Sequence, residues 1–552
     1  MTVATENIAT LIDGLAATVP NRDALVVPRA QGCRSLTFRE LQREANRLAD
    51  GLRRAGFDHG DRILVMVPFG IDFVSITFAL FRIGAVPVLI DPGLDRKQVL
   101  TGIGNVAPTG FIGIPKAHMA RLLYKKYFRS VTRLVTVGTR WLWGGTTLRS
   151  VRESGQSDTV AVDTAPDDAA AILFTSGSTG PPKGVLYTHR MFSLQVETIK
   201  RLYNIQVGEM DLPTFPLFGL FGVGLGMTCV LPDMDPTRPA EVNPENIIGP
   251  IRQYGITSSF GSPALWDTVT RYCLDHNVKL ESLQRILIAG APVPGSLLER
   301  FDHILPASAQ VHTPYGATEA LPVCSIERRE VVDETWARTQ EGWGTCVGKP
   351  VDGVQLKIIR ITDEPIRRWD TSLEVPAGTI GEIAVHGDWT TREYVQLDTA
   401  NLKSKIQEGD RTWHRMGDVG YIDATGRLWF CGRKSHRVLT AGGHLFTIVC
   451  EAIFNRHPEV KRSALVGIGP LGEQTPVIVV ELNAAQAEVD ASQRNRIRAE
   501  LLELGAGHQA TQAIGTILFH PAFPVDIRHN AKINRDRLAA WAATALQHSR
   551  KV

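Results

Sequence analysis

The spacing of apolar and polar residues predicts an α/β chain. In 36–57 (LTFRELQREANRLADGLRRAGF) apolar residues recur every three or four positions, which indicates an amphipathic helix. Thr37 and Glu40 have the spacing of a capping box at its start. Strand–helix–strand order with continuously apolar strands is typical of a parallel sheet covered on both faces. The next segments are predicted as strand, helix and strand: 62–67, 71–83 and 85–91.

A glycine- and hydroxyl-rich segment, TSGSTGPPKGV (175–185), lies between two further predicted strands, 169–174 and 184–189. It lacks the Gly-Lys-Ser/Thr ending of the common nucleoside-triphosphate loop. Because it joins two strands, no helix N-terminus is available to bind phosphate. We therefore expect its own backbone N–H groups and hydroxyls to form an anion-binding nest, with Lys183 adding charge.

The pattern changes along the chain. A helical stretch near 246–284 leads into a strand at 285–290, and after about residue 350 short alternating strands predict a β-rich region. The last 115–120 residues have the pattern of a small α+β domain. We therefore expect an α/β fold with two α/β sheet subdomains and a β-rich, distorted-barrel subdomain in residues 1–432, and a small mobile α+β domain in 433–552.

Composition narrows the function classes. The 552 residues are 43% hydrophobic and 21% charged, and 60 Lys+Arg against 57 Asp+Glu give +3. This near balance and the lack of a dense basic run argue against a nucleic-acid partner. Seven scattered cysteines without metal spacing suit reduced thiols. We see no secretion signal and expect a cytoplasmic protein.

One uncharged stretch, between Asp211 and Asp233, is long enough to cross a membrane. It contains four glycines and three prolines and has no flanking cluster of basic residues. We interpret it as a buried, loop-rich wall of an apolar pocket.

Five other segments complete a constellation with the 175–185 loop. They are a strand followed by small residues at 288–294 (IAGAPVP), VHTPYGATE at 311–319, HRMGDVGY at 414–421, GRK at 432–434, and FPVDIRHNAKINR at 523–535. Taken singly, Glu319, Asp418, Arg433 and Lys532 would be ordinary surface charges. The histidines at 189, 414 and 436 are interpreted as turn or capping residues.

In this order the segments resemble the acyl-adenylate-forming superfamily of acyl-CoA synthetases, peptide-synthetase adenylation domains and luciferases. The resemblance covers nearly the whole chain and implies that a carboxylate attacks ATP to give acyl-AMP and pyrophosphate. It implies catalytic roles for Lys532, Thr318 and Glu319, with Glu319 holding Mg²⁺. The implied nucleotide-binding residues are Thr175, Ser176, Gly177, Ser178, Thr179, Gly180, Lys183, Gly290, Ala291, Pro292, Tyr315, Gly316, Ala317, Thr318, Asp418 and Arg433.

Three positions depart from the superfamily pattern. Gly219 replaces a histidine or aromatic residue that opens or closes the thiol path, Ser435 replaces the usual hinge Asp or Lys, and Ala531 replaces a glycine. The first departure disfavours ordinary thioester formation and suggests room for a second alkyl chain. The predicted substrate pocket comprises Phe218, Gly219, Phe260 and Gly261.

Several stretches resemble a narrower group, the β-lactone synthetases of bacterial long-chain olefin biosynthesis; they include PDMDPTRPA (232–240) and LWFCGRKSHRV (428–438). That resemblance implies a long-chain 2-alkyl-3-hydroxy acid as substrate, and cyclisation of its adenylate by its own 3-hydroxyl. It also implies a thiolase-like condensing enzyme, a reductase and a β-lactone decarboxylase as pathway partners. The alternatives are a long-chain acyl-CoA ligase and a non-catalytic acyl- or nucleotide-binding protein.

Overall fold

The first part of the chain forms two sheets flanked by helices. The structure, a computed structural model, describes residues 7–29, 31–90, 94–175, 182–483, 489–525 and 533–549. The strands up to residue 312 are β1 (Asp23–Pro28), β2 (Cys33–Thr37), β3 (Arg62–Met66), β4 (Val86–Leu89), β5 (Gly110–Gly113), β6 (Arg133–Thr136), β7 (Thr146–Thr147), β8 (Ala169–Phe174), β9 (Gly184–Thr188), β10 (Met210–Pro213), β11 (Thr228–Val230), β12 (Ser258–Gly261), β13 (Arg285–Ile288) and β14 (Gln310–His312). The helices are α1 (Thr10–Thr18), α2 (Phe38–Arg54), α3 (Ile71–Arg82), α4 (Arg96–Val106), α5 (Pro115–Leu123), α6 (Leu148–Ser154), α7 (His189–Leu202), α8 (Pro216–Gly224), α9 (Glu245–Tyr254), α10 (Pro263–Asp275) and α11 (Gly295–Arg300).

The predicted parallel sheets are confirmed. One sheet has the order β7-β6-β5-β3-β4-β8-β9, and the other has the order β14-β13-β12-β10-β11-β1-β2. Inner neighbours are parallel, and each sheet ends in one antiparallel pair, β8–β9 or β1–β2. The predicted capping box is also present, since Thr37 and Glu40 exchange both hydrogen bonds at the start of α2.

The glycine-rich loop joins two strands, as predicted, and the structure shows that these strands are antiparallel. β8 has the predicted bounds, and β9 ends one residue earlier than expected. Its two ends are fastened together, because the Thr175 N–H donates to the Lys183 carbonyl at 3.0 Å. Residues 176–181, which include five predicted phosphate contacts, lie outside the described residues.

A third, antiparallel sheet begins earlier than the pattern suggested. Its strands start at residue 315, not near 350, because the hairpin around Glu319 already belongs to it. The elements are β15 (Tyr315–Ala317), β16 (Ala320–Ser325), α12 (Arg328–Glu330), α13 (Trp336–Gln340), β17 (Thr345–Pro350), β18 (Gln355–Ile359), β19 (Gly381–His386), α14 (Asp398–Ser404), β20 (Lys405–Glu408), β21 (Arg411–Ile422) and β22 (Leu428–Arg433). The described strands pair in the open order β15-β16-β17-β22-β21-β19-β18, with β20 paired to β21, so the predicted distorted barrel does not close.

The C-terminal part has the expected α+β character. It contains a hairpin and a three-stranded sheet, in the order Val460–Ile468, Thr475–Leu482 and Ile517–Phe519, with helices against it. Val449 of the first of these helices lies in the same apolar cluster as Trp266 and Trp429, so this part packs against the preceding sheets. Its elements are β23 (Val438–Thr440), β24 (Gly443–Leu445), α15 (Thr447–Phe454), β25 (Val460–Ile468), β26 (Thr475–Leu482), α16 (Ala491–Ala506), β27 (Ile517–Phe519) and α17 (Arg535–Ser549).

The uncharged stretch after Asp211 is more regular than predicted. It is a strand, a helix and a strand (β10, α8 and β11), because its glycines and prolines fall mainly at element ends and in helix α8. The prediction of a loop-rich segment was therefore wrong, although the segment does border an apolar cavity, as expected. None of the helices in the described part of the chain combines the length and apolarity that a membrane crossing requires.

A buried ion cluster fastens the segment after β22 to the third sheet. Glu382 on β19 lies 2.6 Å from Arg415 Nη2 and 3.0 Å from Lys434 Nζ, and all three groups are largely buried. We expect Glu382→Ala to lower the free energy of unfolding by about 3–5 kcal/mol, because it leaves two buried cations uncompensated. Denaturant unfolding measures this change. Glu374→Ala, which removes a partly exposed pair with Lys357, should cost about 1 kcal/mol or less. Equal losses in the two variants would contradict this account.

Candidate active site

Glu319 lies in the tight turn between β15 and β16, and the structure buries it. Its backbone carbonyl accepts from the Thr391 N–H at 2.8 Å, and Oε1 accepts from the Tyr394 hydroxyl at 2.6 Å. Tyr187 also fixes this turn by donating to the Thr318 carbonyl. A carboxylate has about four acceptor sites, so Glu319 keeps capacity for a cation beside the Tyr394 bond.

Tyr315 and Arg433, both partly buried, surround the buried carboxylate of Asp418. Asp418 and Arg433 are directly opposite each other on β21 and β22, with Oδ1 2.8 Å from Nη1. Tyr315 donates its hydroxyl to Asp418 Oδ2 at 2.7 Å. Burial raises the pKa of Asp418, and the nearby Arg433 charge opposes this rise. Burial and the Asp418 charge together raise the pKa of Tyr315 well above its usual value.

The Asp418 carboxylate fits a nucleotide sugar. Although Oδ1 lies within ion-pair distance of Arg433, it accepts no directed hydrogen bond from the described residues. The Arg433 charge compensates this buried oxygen, which as a carboxylate oxygen can still accept from a further donor. A ribose hydroxyl is a donor of the required kind. The structure thus brings Tyr315 together with Asp418 and Arg433, which lie more than 100 positions later in the sequence.

Lys183 reaches toward the Glu319 turn. Its Nζ lies 4.6 Å from the centre of the Tyr394 ring, a cation–π distance. Burial lowers the pKa of Lys183, and the Glu319 charge raises it again. Thr175 Oγ1 accepts from the Lys183 N–H at 3.4 Å. Thr175 and Lys183 therefore lie at the base of the loop, on the side that faces Glu319.

A second lysine, Lys405, was not singled out by sequence reasoning. It is buried at the start of β20, donates to the Thr391 carbonyl and hydroxyl, and lies 5.5 Å from the Tyr394 ring centre. Burial lowers its pKa to about 7, against the opposing effect of Glu319. In the sequence it is one of several lysines near a helix end, and no local pattern marks it as buried.

The small residues 290–292 follow the carboxyl end of β13, as predicted. Gly290 has φ of +102°, a conformation that favours glycine, and Ala291 and Pro292 continue the chain along the sheet edge. Gly316 and Ala317 belong to β15. A side chain at Gly316 would have its Cβ 2.6 Å from the Ala320 carbonyl, so glycine is required for the hairpin to close.

An apolar cavity opens beside these groups, between the second sheet and helix α8. The Phe218 and Phe260 rings are stacked with centroids 3.4 Å apart, and both border the cavity. Ala289 and Pro314 border the end nearest to Tyr315. The remaining lining residues are mostly apolar and include Ile199, Phe221, Leu225, Met227, Leu287 and Leu321.

Two of the four predicted pocket residues do not border this cavity. Gly219 is buried, and a Cβ built on it would lie 2.2 Å from Cζ of Phe69. The ring of Phe69, from the loop before α3, therefore fills the space that the missing side chain leaves. The expectation that Gly219 makes room for a second alkyl chain is not met in this conformation. Gly261 is similarly covered by the Trp266 indole, 2.5 Å from the built Cβ.

Asp211 is an ionisable group on the cavity wall that sequence reasoning used only as a boundary. It lies on β10 two residues before Pro213, and its register partner is Ser258 of β12. Burial raises its pKa to about 7, although a hydrogen bond with Ser258 and the charge of Arg285 lower it. Arg285 itself is engaged with Glu209 at 2.6 Å. The sequence contains a signal for this residue, because a carboxylate within an otherwise apolar strand indicates a buried ionisable group.

Comparison with known proteins identifies the family. The family model described as AMP-binding enzyme matches residues 13–395. The chain belongs to the AMP-binding enzyme family. It is 46% identical over 550 residues to the olefin beta-lactone synthetase of Xanthomonas campestris pv. campestris, covering 97% of each chain. It is 44% identical over 558 residues to the olefin beta-lactone synthetase of Stenotrophomonas maltophilia, covering 98% of this chain and 99% of that one.

The fold agrees with solved structures of other adenylating proteins. The O-succinylbenzoate coenzyme A synthetase of Bacillus subtilis, solved in complex with ATP and magnesium ion, superposes with a TM-score of 0.74. That match has 21% identity and covers 96% of this chain and 99% of the other. At this identity the likeness shows the fold, and the predicted α/β architecture is confirmed.

Some predicted residues of this AMP-binding enzyme remain untested by the geometry. Lys532 and Ala531 lie outside the described residues. Ser435 lies in a short 3-10 turn directly after β22. The three histidines are not grouped: His189 Nδ1 accepts from the Ile8 N–H, His414 is buried in β21, and burial lowers the pKa of His436 to about 4.

The contact between Gly219 and Phe69 predicts a local packing effect. We expect Gly219→Ala to destabilise the protein by about 1–3 kcal/mol, because the new Cβ overlaps the Phe69 ring. Gly249→Ala is the matched control in helix α9, where a Cβ meets nothing within 4 Å, and it should stabilise by up to about 1 kcal/mol. Adding Phe69→Ala to Gly219→Ala should remove the clash, which a double-mutant cycle of unfolding free energies would detect. Additive effects would refute the contact.

Asp211 predicts a pH-dependent stability. Since its pKa is about 7 in the folded protein and about 4 when unfolded, the folded state binds the proton more tightly. Its contribution to stability is therefore present below about pH 4 and is lost as the pH rises to about 7. As the pH rises from about 4 to about 7, the free energy of unfolding of Asp211→Asn should increase by about 2–4 kcal/mol relative to that of the parent, because only the parent loses the stabilising proton. Denaturant unfolding measures this difference. Asp275→Asn, at an exposed position, should show no such trend. A flat difference for Asp211→Asn would contradict the prediction.

Proposed function

We propose that this protein is an ATP-dependent olefin β-lactone synthetase. The supporting observation is the 44–46% identity, over nearly the full length, to two proteins that bear this name. The proposed substrate is a long-chain 2-alkyl-3-hydroxy acid. Proposed partners are the other enzymes of the olefin pathway: a thiolase-like condensing enzyme, a reductase and a β-lactone decarboxylase.

The proposed reaction has two steps. In the first, a carboxylate oxygen of the acid attacks the α-phosphorus of ATP, and the bond to pyrophosphate breaks. In the second, the oxygen of the 3-hydroxyl attacks the acyl carbon of the adenylate and AMP leaves with the bonding electrons. The hydroxyl proton is released, and the ring closes to a cis β-lactone. Holding the hydroxyl beside the acyl carbon makes the second step intramolecular.

The residues are proposed to divide the work as follows. Asp418 and Arg433 bind the ribose, Tyr315 adjoins the adenine, and Lys183 with the 175–180 loop binds the β- and γ-phosphates. The buried Glu319 carboxylate suits Mg²⁺, a hard cation that prefers oxygen ligands and would neutralise phosphate charge when bound. Tyr394 orients Glu319 through their 2.6 Å hydrogen bond. Residues 433–552 are proposed to move as a domain that brings Lys532 to the reacting phosphate.

The packing at Gly219 is compatible with intramolecular capture of the adenylate. The Phe69 ring occupies the space beside Gly219, so the helix side chain expected in acyl-CoA synthetases is replaced by a ring from another element. An enzyme whose nucleophile is part of its substrate needs no route for a thiol. It does need a dry site, because water would hydrolyse the adenylate. The stacked Phe218 and Phe260 rings provide an apolar wall for that purpose.

The deciding experiment omits coenzyme A. We expect the protein with ATP, Mg²⁺ and a 2-alkyl-3-hydroxy acid to form β-lactone and AMP, and Lys532→Ala to lower the rate at least about 100-fold. Lys403→Ala, at an exposed position, is the control. Thioester formation from plain fatty acids only when coenzyme A is added would instead identify an acyl-CoA ligase. Absence of substrate-dependent ATP–pyrophosphate exchange would leave a non-catalytic binding protein.

A further inference from the structure

One edge of the first sheet carries a strongly one-sided charge. Between Asp95 and Glu153 the sequence has no acidic residue, whereas the whole chain is nearly balanced. The basic side chains are spaced too widely to form a run. They are Arg96, Lys97, Lys116, Arg121, Lys125, Lys126, Arg129, Arg133, Arg140, Arg149 and Arg152.

Most of these cations have no ionic partner. Three of them do form ion pairs: Arg133 with Asp61, and Arg149 with Glu153. The third, Arg152, pairs with both Glu44 and Asp72. The others pair with no carboxylate among the residues that the structure describes. Arg96 lies 5.7 Å from the Tyr124 ring centre and Lys126 lies 4.8 Å from the Tyr127 ring centre, so α4 and the turn after α5 present their charges together.

Helix α5 presents apolar side chains outward at this edge. Ala117 and His118 face the protein, whereas Met119, Leu122 and Leu123, at helical spacing i, i+3 and i+4, are exposed. The exposed fraction of Leu123 is 74%. A helix in a soluble domain normally directs such a stripe to the core, so the orientation is reversed here.

A tryptophan-rich turn extends the same apolar surface. The buried Trp143 stacks on His118 of α5 at 5.1 Å, and Trp141 lies 5.5 Å from Trp143. Trp141 is 57% exposed and Leu142 is completely exposed. The α5 surface is therefore defined by five apolar side chains and the unpaired cations beside them: Met119, Leu122, Leu123, Trp141 and Leu142, with Lys116, Lys125, Lys126, Arg129 and Arg140.

We propose that the α5 surface docks this protein onto the face of an anionic lipid bilayer. Exposed Leu and Trp side chains enter the headgroup region, and surrounding Lys and Arg attract anionic lipid, the combination typical of helices that lie on a membrane. Charge complementarity selects this occupant, since a second copy of the chain would bring its own cations against these. The docking stands independently of the proposed function, although a long-chain acid is a compound that a bilayer would hold.

The test measures partitioning onto vesicles without ATP or substrate. We expect the full-length protein to co-sediment with vesicles of phosphatidylcholine plus phosphatidylglycerol, and only weakly with phosphatidylcholine alone. Raising the salt from about 0.1 M to about 1 M shortens the Debye length from about 10 Å to about 3 Å and should release most of the protein. Binding that ignores lipid charge would overturn the proposal.

Matched variants separate the two components. Lys125→Glu/Lys126→Glu and, separately, Leu123→Ser/Leu142→Ser should each lower the partition coefficient on anionic vesicles at least tenfold. Arg367→Glu/Arg368→Glu and Leu402→Ser/Leu471→Ser change exposed side chains elsewhere and should leave it within about twofold. Unchanged denaturation midpoints confirm folding.

Two results would assign the surface differently. If the α5 variants lose no more binding than their controls, the surface does not contact lipid. If they instead lower the sedimentation mass of the lipid-free protein, the α5 surface joins copies of this chain, and the membrane proposal is overturned.

Discussion

A carboxylate that is taken out of water must be given donors or a cation, and this requirement organises the candidate site. Asp418 receives the hydroxyl of Tyr315 and the charge of Arg433, and Glu319 receives the hydroxyl of Tyr394. These partners come from different strands and loops of the third sheet. The acidic groups are therefore properly placed only when that sheet is complete, which couples the chemistry of the site to its folding.

Buried lysines lie close to these buried acidic groups. Lys183 and Lys405 both lie within 6 Å of the Tyr394 ring, and Lys434 lies against Glu382 directly after β22. Strand β9, the Glu319 turn and the 390–395 segment are also joined by backbone hydrogen bonds, such as that from the Val395 N–H to the Gly184 carbonyl. Positive charge is thus concentrated where phosphates are proposed to bind. The α5 surface is a second concentration of positive charge, and it lies on an exposed edge of the first sheet.

At Gly219, a side chain from another part of the chain fills the space that a local side chain would occupy. Gly219 has no side chain, yet the space beside it is not open, because the Phe69 ring from a distant loop fills it. A void of that size would forfeit dispersion contacts on its lining. The result is a closed apolar wall next to Phe218, and the cavity instead extends toward Asp211 and Ser258.

The sequence by itself determined the α/β class, the first strands and helices and the order of the motifs, because periodicity and loop chemistry are local properties. It did not determine helix α8 or the start of the third sheet at residue 315. It predicted that the 175–185 loop joins two strands, and it predicted Tyr315, Asp418 and Arg433 as parts of one site through family resemblance. Only the tertiary structure decided that Tyr394 and Lys405 lie beside Glu319. It also decided that the Phe69 ring fills the space next to Gly219 and that Asp211 borders the cavity. The grouping of scattered cations around helix α5 likewise depends on the fold. The physical reason is that burial and charge proximity depend on which distant segments pack together, and no local pattern of residues records that.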